Sequence, residues 1–283
     1  MRRSTVAVIG AITLCTACGG GGSDSGDDGK RKPSAPASAS RSAPATRPAD
    51  DIAAVRAAAA ATARTTARVD ERIKMGDGSM AMVFTVRGAL DLAGGKGALK
   101  VRLQADGKPA VPLDEVFTGR MVHLRMPQEP TGDTSWRSVP RDQVEAHYLL
   151  RAPLNDPVHI LRQVAMLPSA RRVGEEKVNG APTVHYRAEP DLKTLTYRMV
   201  TAQRAKVTSH WKDLQRQFPP YADVWVDRKG HVVRSRFGMP LGGDAGMAVS
   251  LTLSDLGKPV RTPGVPSGAR AVDPSSVNGP LVG

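Results

Sequence analysis

Six histidines, two cysteines and a scatter of aspartates are the side chains through which this 283-residue chain could cleave bonds or hold metal. His123, His147, His159, His185, His210 and His231 stand singly, without the H-x-H or H-E-x-x-H spacing that sets two imidazoles on one ion. His123, His185 and His231 lie in strand-like segments beside Arg or polar residues and read as surface histidines. Asp223 and Asp227 flank Trp225 on one strand face, a spacing that would suit acid–base work. With Arg and Lys beside them, solvated strand carboxylates are the simpler reading. Gly94-Gly-Lys-Gly97 lacks the first glycine of a phosphate loop and has Gly97 where Ser or Thr would reach magnesium, so it reads as a hairpin turn. No G-x-S-x-G elbow occurs. The expectation is a non-enzyme with no catalytic residue, no metal and no cofactor.

The cysteines, Cys15 and Cys18, belong to a different chemistry. Arg2 and Arg3 precede an apolar run over 6–14, and the small residues Thr16 and Ala17 follow, which is the plan of a secretory leader. The run is far shorter than the roughly 20 residues of a membrane-spanning helix. Cys15-Thr16-Ala17-Cys18 resembles a bacterial lipobox, with Cys15 where leucine is usual, and makes Cys18 the residue that receives a diacylglyceryl group. A C-x-x-C redox site would need a βαβ setting that is missing here. Residues 1–17 are then a lipoprotein signal peptide and 18–50 a lipidated cysteine with a disordered tether, whose Gly, Ser, Pro and Ala offer nothing to bury. As a flexible coil the tether reaches about 30 Å. This places the protein on the outer face of the cell membrane, anchored by lipid in the cytoplasmic membrane.

Residues 51–272 make one domain of ordinary size, and 273–283 a flexible tail. The chain carries 40 Lys and Arg against 27 Asp and Glu, a net +13. A basic surface is attracted to anionic phospholipid. Nucleic acid is excluded as a partner because the charge is scattered and aromatics are only 4% of the residues. No feature asks for a second copy, so a monomer is expected.

The elements alternate between two periods. Alanine-rich sequence from Asp51 predicts a first helix, with Asp50 and Asp51 where negative charge suits an N-terminus. Over 79–92, Met80, Met82, Phe84, Val86, Leu90 and Leu92 share one face of a half-buried strand. Leu99, Val101 and Leu103 continue it as a hairpin, and Val122 and Leu124 mark another strand. The period changes at Pro157, where Val158, Leu161, Val164 and Ala165 predict an amphipathic helix capped by Asp156. An Asn-Gly turn at Asn179 joins two strands. Tyr197, Val200, Val207, Trp211, Leu214 and Phe218 predict one long helix over 196–218. Strands return over 222–254, and the tail from Pro263 reads as loose. The fold class is α+β, an antiparallel sheet with helices against one face. Met80, Met82, Met121 and Met126 fit an adaptable apolar interior or an ordinary core.

The segments RRVGEEKVNGAPTVHYRAEPDL, ADVWVDRKGHVVRSRFGM and LTLSDLGKPVRTPGVP, behind a lipobox and tether, resemble the actinobacterial LppX/LprA/LprF/LprG lipoproteins. That resemblance implies a LolA/LolB-like antiparallel β half-barrel wrapped over helices, with an apolar cavity for an acylated lipid. It makes Met80, Met82, Phe84, Val86, Leu99, Val101, Leu103, Val122, Leu124, Leu161 and Val164 the expected cavity lining, with Lys and Arg at the mouth. The implied function is a non-catalytic lipid-binding or carrier lipoprotein. The alternative is an envelope scaffold with a filled half-barrel and no ligand. A void of several hundred cubic ångströms favours the first, whereas Phe84, Leu161 and Trp211 packed into the space favour the second.

Overall fold

The structure is a computed structural model and describes residues 48–76, 81–127, 132–242 and 245–283, which lie in one compact unit. Cys18 and Met80 lie outside the described residues. The chain opens with helix α1 (Pro48–Thr62), then strands β1 (Thr66–Gly76), β2 (Ala81–Asp91), β3 (Lys96–Ala105), β4 (Val111–Thr118), β5 (Met121–Arg125) and β6 (Arg137–Pro140). A 3-10 turn (Pro153–Asn155) leads into α2 (Pro157–Met166) and the hairpin β7 (Arg171–Val178) and β8 (Ala181–Ala188). Helices α3 (Leu192–Leu195) and α4 (Thr201–Gln217) precede β9 (Tyr221–Asp227), β10 (Val232–Gly242), β11 (Ala245–Ser254) and the short β12 (Arg270–Ala271).

All twelve strands form one sheet, in the order β12-β6-β5-β4-β3-β2-β1-β11-β10-β9-β8-β7. Every pairing is antiparallel except β12 with β6. Two meanders, one running back from β1 and one from β11, are therefore joined at a single seam, where Val69 lies opposite Leu253 and Ile73 opposite Val249. Alternation sends Val69, Ile73, Phe84, Val86, Leu251 and Leu253 to the covered face and leaves Arg72, Lys74 and Arg87 outside. At the β7–β8 turn Asn179 (φ 50) and Gly180 (φ 81) take the left-handed pair of conformations that a two-residue hairpin needs.

The covered face packs on α1 and α2. Small side chains at Ala58 and Ala59 let α1 approach closely. Its ends are pinned to the sheet's second half: the Arg172 amide donates to Asp51 at 2.9 Å, and the Val232 amide to Thr62 Oγ1 at 2.8 Å. Asp156 caps α2 by accepting from the Val158 amide, as its place before Pro157 predicts.

Two expectations are corrected. The helix expected over 196–218 begins only at Thr201, as α4, because Arg198 turns into the left-handed region (φ 54) and Met199 bridges to Ala146, while the short α3 lies just before the expected start. The segment 273–283 is not a loose tail. Val277 and Val282 are 2% and 1% exposed, and the Leu154 and His147 amides donate to the carbonyls of Val282 and Gly283. Its few apolar residues find a place because interior donors need its carbonyls.

Candidate functional site

Phe84 and Val86 on β2, Leu99 and Val101 on β3, Val122 and Leu124 on β5, and Leu161 and Val164 on α2 are all at most 1% exposed. They touch as parts of one core cluster, with Leu103 and Met82 half-buried at its margin. None of these residues except Met82 lines any of four cavities of 390–490 Å³ on the described surface. Phe84 and Leu161 thus fill the space between sheet and helices, and Trp211 packs against its edge.

Charge also sits in this interior. Glu71 alternates with Val69 and Ile73 on β1, and Glu115 with Leu113 and Phe117 on β4, so both carboxyls point inward and are fully buried. The Arg151 guanidinium lies over the Phe84 ring (4.3 Å), donates to Pro280 O and to Asn155 Oδ1, and is 1% exposed. Asn155 in turn donates to Glu115 Oε1 at 3.0 Å and Leu281 O at 2.7 Å. Burial pushes Glu71 up to about 8, against the pull of Arg151, and raises Glu115 well above the carboxylate range. Neither Glu71 oxygen has a hydrogen-bond partner among the described residues. A neutral acid satisfies such a place at lower cost than an anion. The cluster holds the C-terminal segment in place, and none of its side chains lines any of the four cavities described above.

The open end of the same sheet face is different. Met82, Met75, Met247 and Met239 stand opposite one another on β2, β1, β11 and β10, a cross-strand row of four methionines. They continue the phase of Phe84, Ile73, Val249 and Phe237, one step beyond the packed core. Met239 is buried and the other three are half-buried. A cavity of about 390 Å³ is lined by all four methionines, and by Tyr221, Arg72, Lys74 and Arg236 from the opposite strand phase. Unbranched, polarisable side chains adapt to ligands of varied shape, and the volume is that of a small-molecule site. Residue periods alone miss Met75, Met239 and Met247, because each is ordinary within its own strand and only the pairing register lines them up.

The polar strand residues are corrected as well. His185 and Asp223 are 4% and 3% exposed, not on the surface, because side chains of neighbouring strands close over them. His185 stacks on Trp225 (4.5 Å), with Nδ1 2.8 Å from Glu176 Oε1 and Nε2 2.8 Å from Asp223 Oδ1. Burial pushes the Asp223 carboxyl up, but the hydrogen bonds from Arg187 and His185 outweigh it and hold it below the usual range. The Trp225 indole, donating to Glu176 Oε2, does the same for that carboxyl against a smaller effect of burial. His123 is buried too, between Thr118 and Ser138, and burial lowers its pKa. Every donor here already has an acceptor, which is the mark of a structural network. Asp227 is turned to its own loop, accepting from the Lys229 and His231 amides.

No protein-family model matches the chain, and no curated protein matches it. Among solved structures, the chain is similar to LprF from Mycobacterium bovis, with 16% identity and a TM-score of 0.44 over 76% of this chain and 97% of that one. It is similar also to the lipoprotein LppX of Mycobacterium tuberculosis, with 17% identity and a TM-score of 0.42 over 75% of this chain and 97% of that one.

Proposed function

We propose that this is a membrane-anchored, extracytoplasmic binding protein without catalytic activity, whose site is the methionine-lined end of the sheet. The observation that carries the reading is the 390 Å³ cavity that joins four methionines to three cations. An amphiphile with an acyl chain and an anionic head matches both sides of it. Cys18, carrying two acyl chains, supplies the anchor, since one chain alone binds a membrane only marginally. Mass spectrometry of the mature N-terminal peptide checks that anchor directly, the expected species being a diacylglyceryl group on Cys18. Native mass spectrometry of the Cys18→Ser protein from its host tests the ligand. The expected result is a co-purifying acyl lipid that is lost in Met75→Lys/Met247→Lys. Absence of lipid, together with no uptake of a fluorescent fatty acid, would sink the carrier reading. The filled-scaffold alternative would then stand, and the packing of Phe84 and Leu161 at 0% and 1% exposure favours it.

A further inference from the structure

On the outer face of the sheet the side chains of β11 are small where those of its neighbours are long. Gly246, Ala248, Ser250 and Thr252 make a floor between two walls. Arg72 and Lys74 rise from β1 on one side, and Arg234 and Arg236 from β10 on the other. Ser250 is directly opposite Arg72 in one pairing and Arg236 in the other, and Thr252 is opposite Arg234. The resulting trough has a volume of about 480 Å³, with Trp225 at one margin and no carboxylate in its lining.

The cations have no counter-charge of their own. Arg72, Lys74, Arg234 and Arg236 make no ion pair among the described residues. Nearby carboxylates are already engaged, Asp70 with Arg87 and Asp223 with His185 and Arg187. Aromatic rings hold two of the guanidinium groups in place: Arg234 lies 5.8 Å from the Trp225 ring and Arg236 5.3 Å from that of Tyr221. Arg234 also donates to Thr252 Oγ1 at 3.3 Å. Across two strand spacings the Arg72 and Arg236 backbones are roughly 10 Å apart. Two forked guanidinium groups at that separation can close on one tetrahedral anion above the Ser250 hydroxyl, each offering parallel N–H donors.

The geometry points to a phosphate-binding site in this trough, with Arg72 and Arg236 as the principal ligands and Arg234, Lys74 and Ser250 completing it. It deepens the rim's part in the proposed function by giving the head group a chemistry, yet it needs no acyl chain to operate. Two sources can supply the group, a soluble phosphate or the head of an anionic phospholipid, and two probes distinguish them.

The full chain with Cys18→Ser is titrated with inorganic phosphate by calorimetry, and separately sedimented with phosphatidylglycerol-containing vesicles against phosphatidylcholine alone. Binding to phosphate alone assigns the site to soluble ligands; binding confined to phosphatidylglycerol vesicles assigns it to the membrane. In either case Arg72→Gln/Arg236→Gln should weaken binding by about tenfold or more. Lys206→Gln/Lys212→Gln on exposed α4 removes the same charge and should change it little. Ser250→Asp supplies an internal counter-charge and should abolish binding with no loss of melting temperature, which keeps the test open if the arginine variant folds poorly. The proposal is overturned if neither probe binds, or if the arginine and lysine variants lose affinity alike. Uptake of the fluorescent fatty acid by the same proteins is a separate readout, so failure here and failure of the acyl site are told apart.

Discussion

Glu71 and Asp223 are carboxyls of one sheet that their surroundings treat in opposite ways. Glu71 titrates near 8 in the fold, so the native state keeps a proton that the unfolded chain has released above about 4.5. Its contribution to stability is complete below that value and is lost as the pH rises to about 8. His159 works the other way: burial lowers it to about 3, so it costs stability as the pH falls below 6.5. Between pH 6.5 and 8, therefore, the buried acids dominate: Glu71 should lower stability by at most about 1.4 kcal/mol per pH unit, fading toward pH 8, and Glu115 acts in the same direction. Thermal melts should show Glu71→Gln lessening this slope and Glu71→Gln/Glu115→Gln removing it; an unchanged slope would assign it elsewhere. Asp223, held low, contributes above the ordinary carboxylate range and loses that contribution in acid, so Asp223→Asn should flatten the acid limb of the same curve. The strand over 66–76 and the inward phase of Glu71 and Glu115 were not anticipated from the sequence, although both glutamates alternate with apolar neighbours, Val69 and Ile73 or Leu113 and Phe117. Arg151 leaves no such trace at all, because a loop far along the chain delivers it and no local period records that.

Among the elements, strand phases and the α2 cap were readable from short-range pattern, since one face is buried and one wet. α4 shows where such reading stops. Its stripe of Val207, Trp211, Leu214 and Phe218 has helical spacing, yet the helix has no fully buried residue. A period says which side turns toward the protein and not how much protein is there. Trp211→Ala should accordingly cost only about 1 kcal/mol, in line with partial burial, whereas Phe84→Ala should cost about 3–5 kcal/mol. Equilibrium denaturation of both variants checks the order, and equal losses would mean that α4 is packed as firmly as β2. Hydrogen exchange offers an independent view, with α4 amides expected to exchange well before those of β1 and β11.

At the scale of the molecule, the C-terminal segment is a structural member. Removing residues 279–283 deprives Arg151 and Asn155 of the Pro280 and Leu281 carbonyls. Each lost acceptor inside the core costs about 1–3 kcal/mol, so the truncated protein should melt well below the full chain; an unchanged melting temperature would show the segment to be dispensable. The sheet's outer strands are blunted against pairing with other chains, β12 by being two residues long and β7 by a bulge and charged residues. The seam between β1 and β11 has its own bearing on how the molecule comes into being. Arg68 lies opposite Ser254 there, so the first strand to be made waits for nearly the last before its free edge is covered. Loops of that length close slowly, and folding on the millisecond-to-second scale of non-local β proteins follows. A growing chain that stops before residue 245 leaves this edge of β1 without its partner, so the seam closes only once β11 has been made.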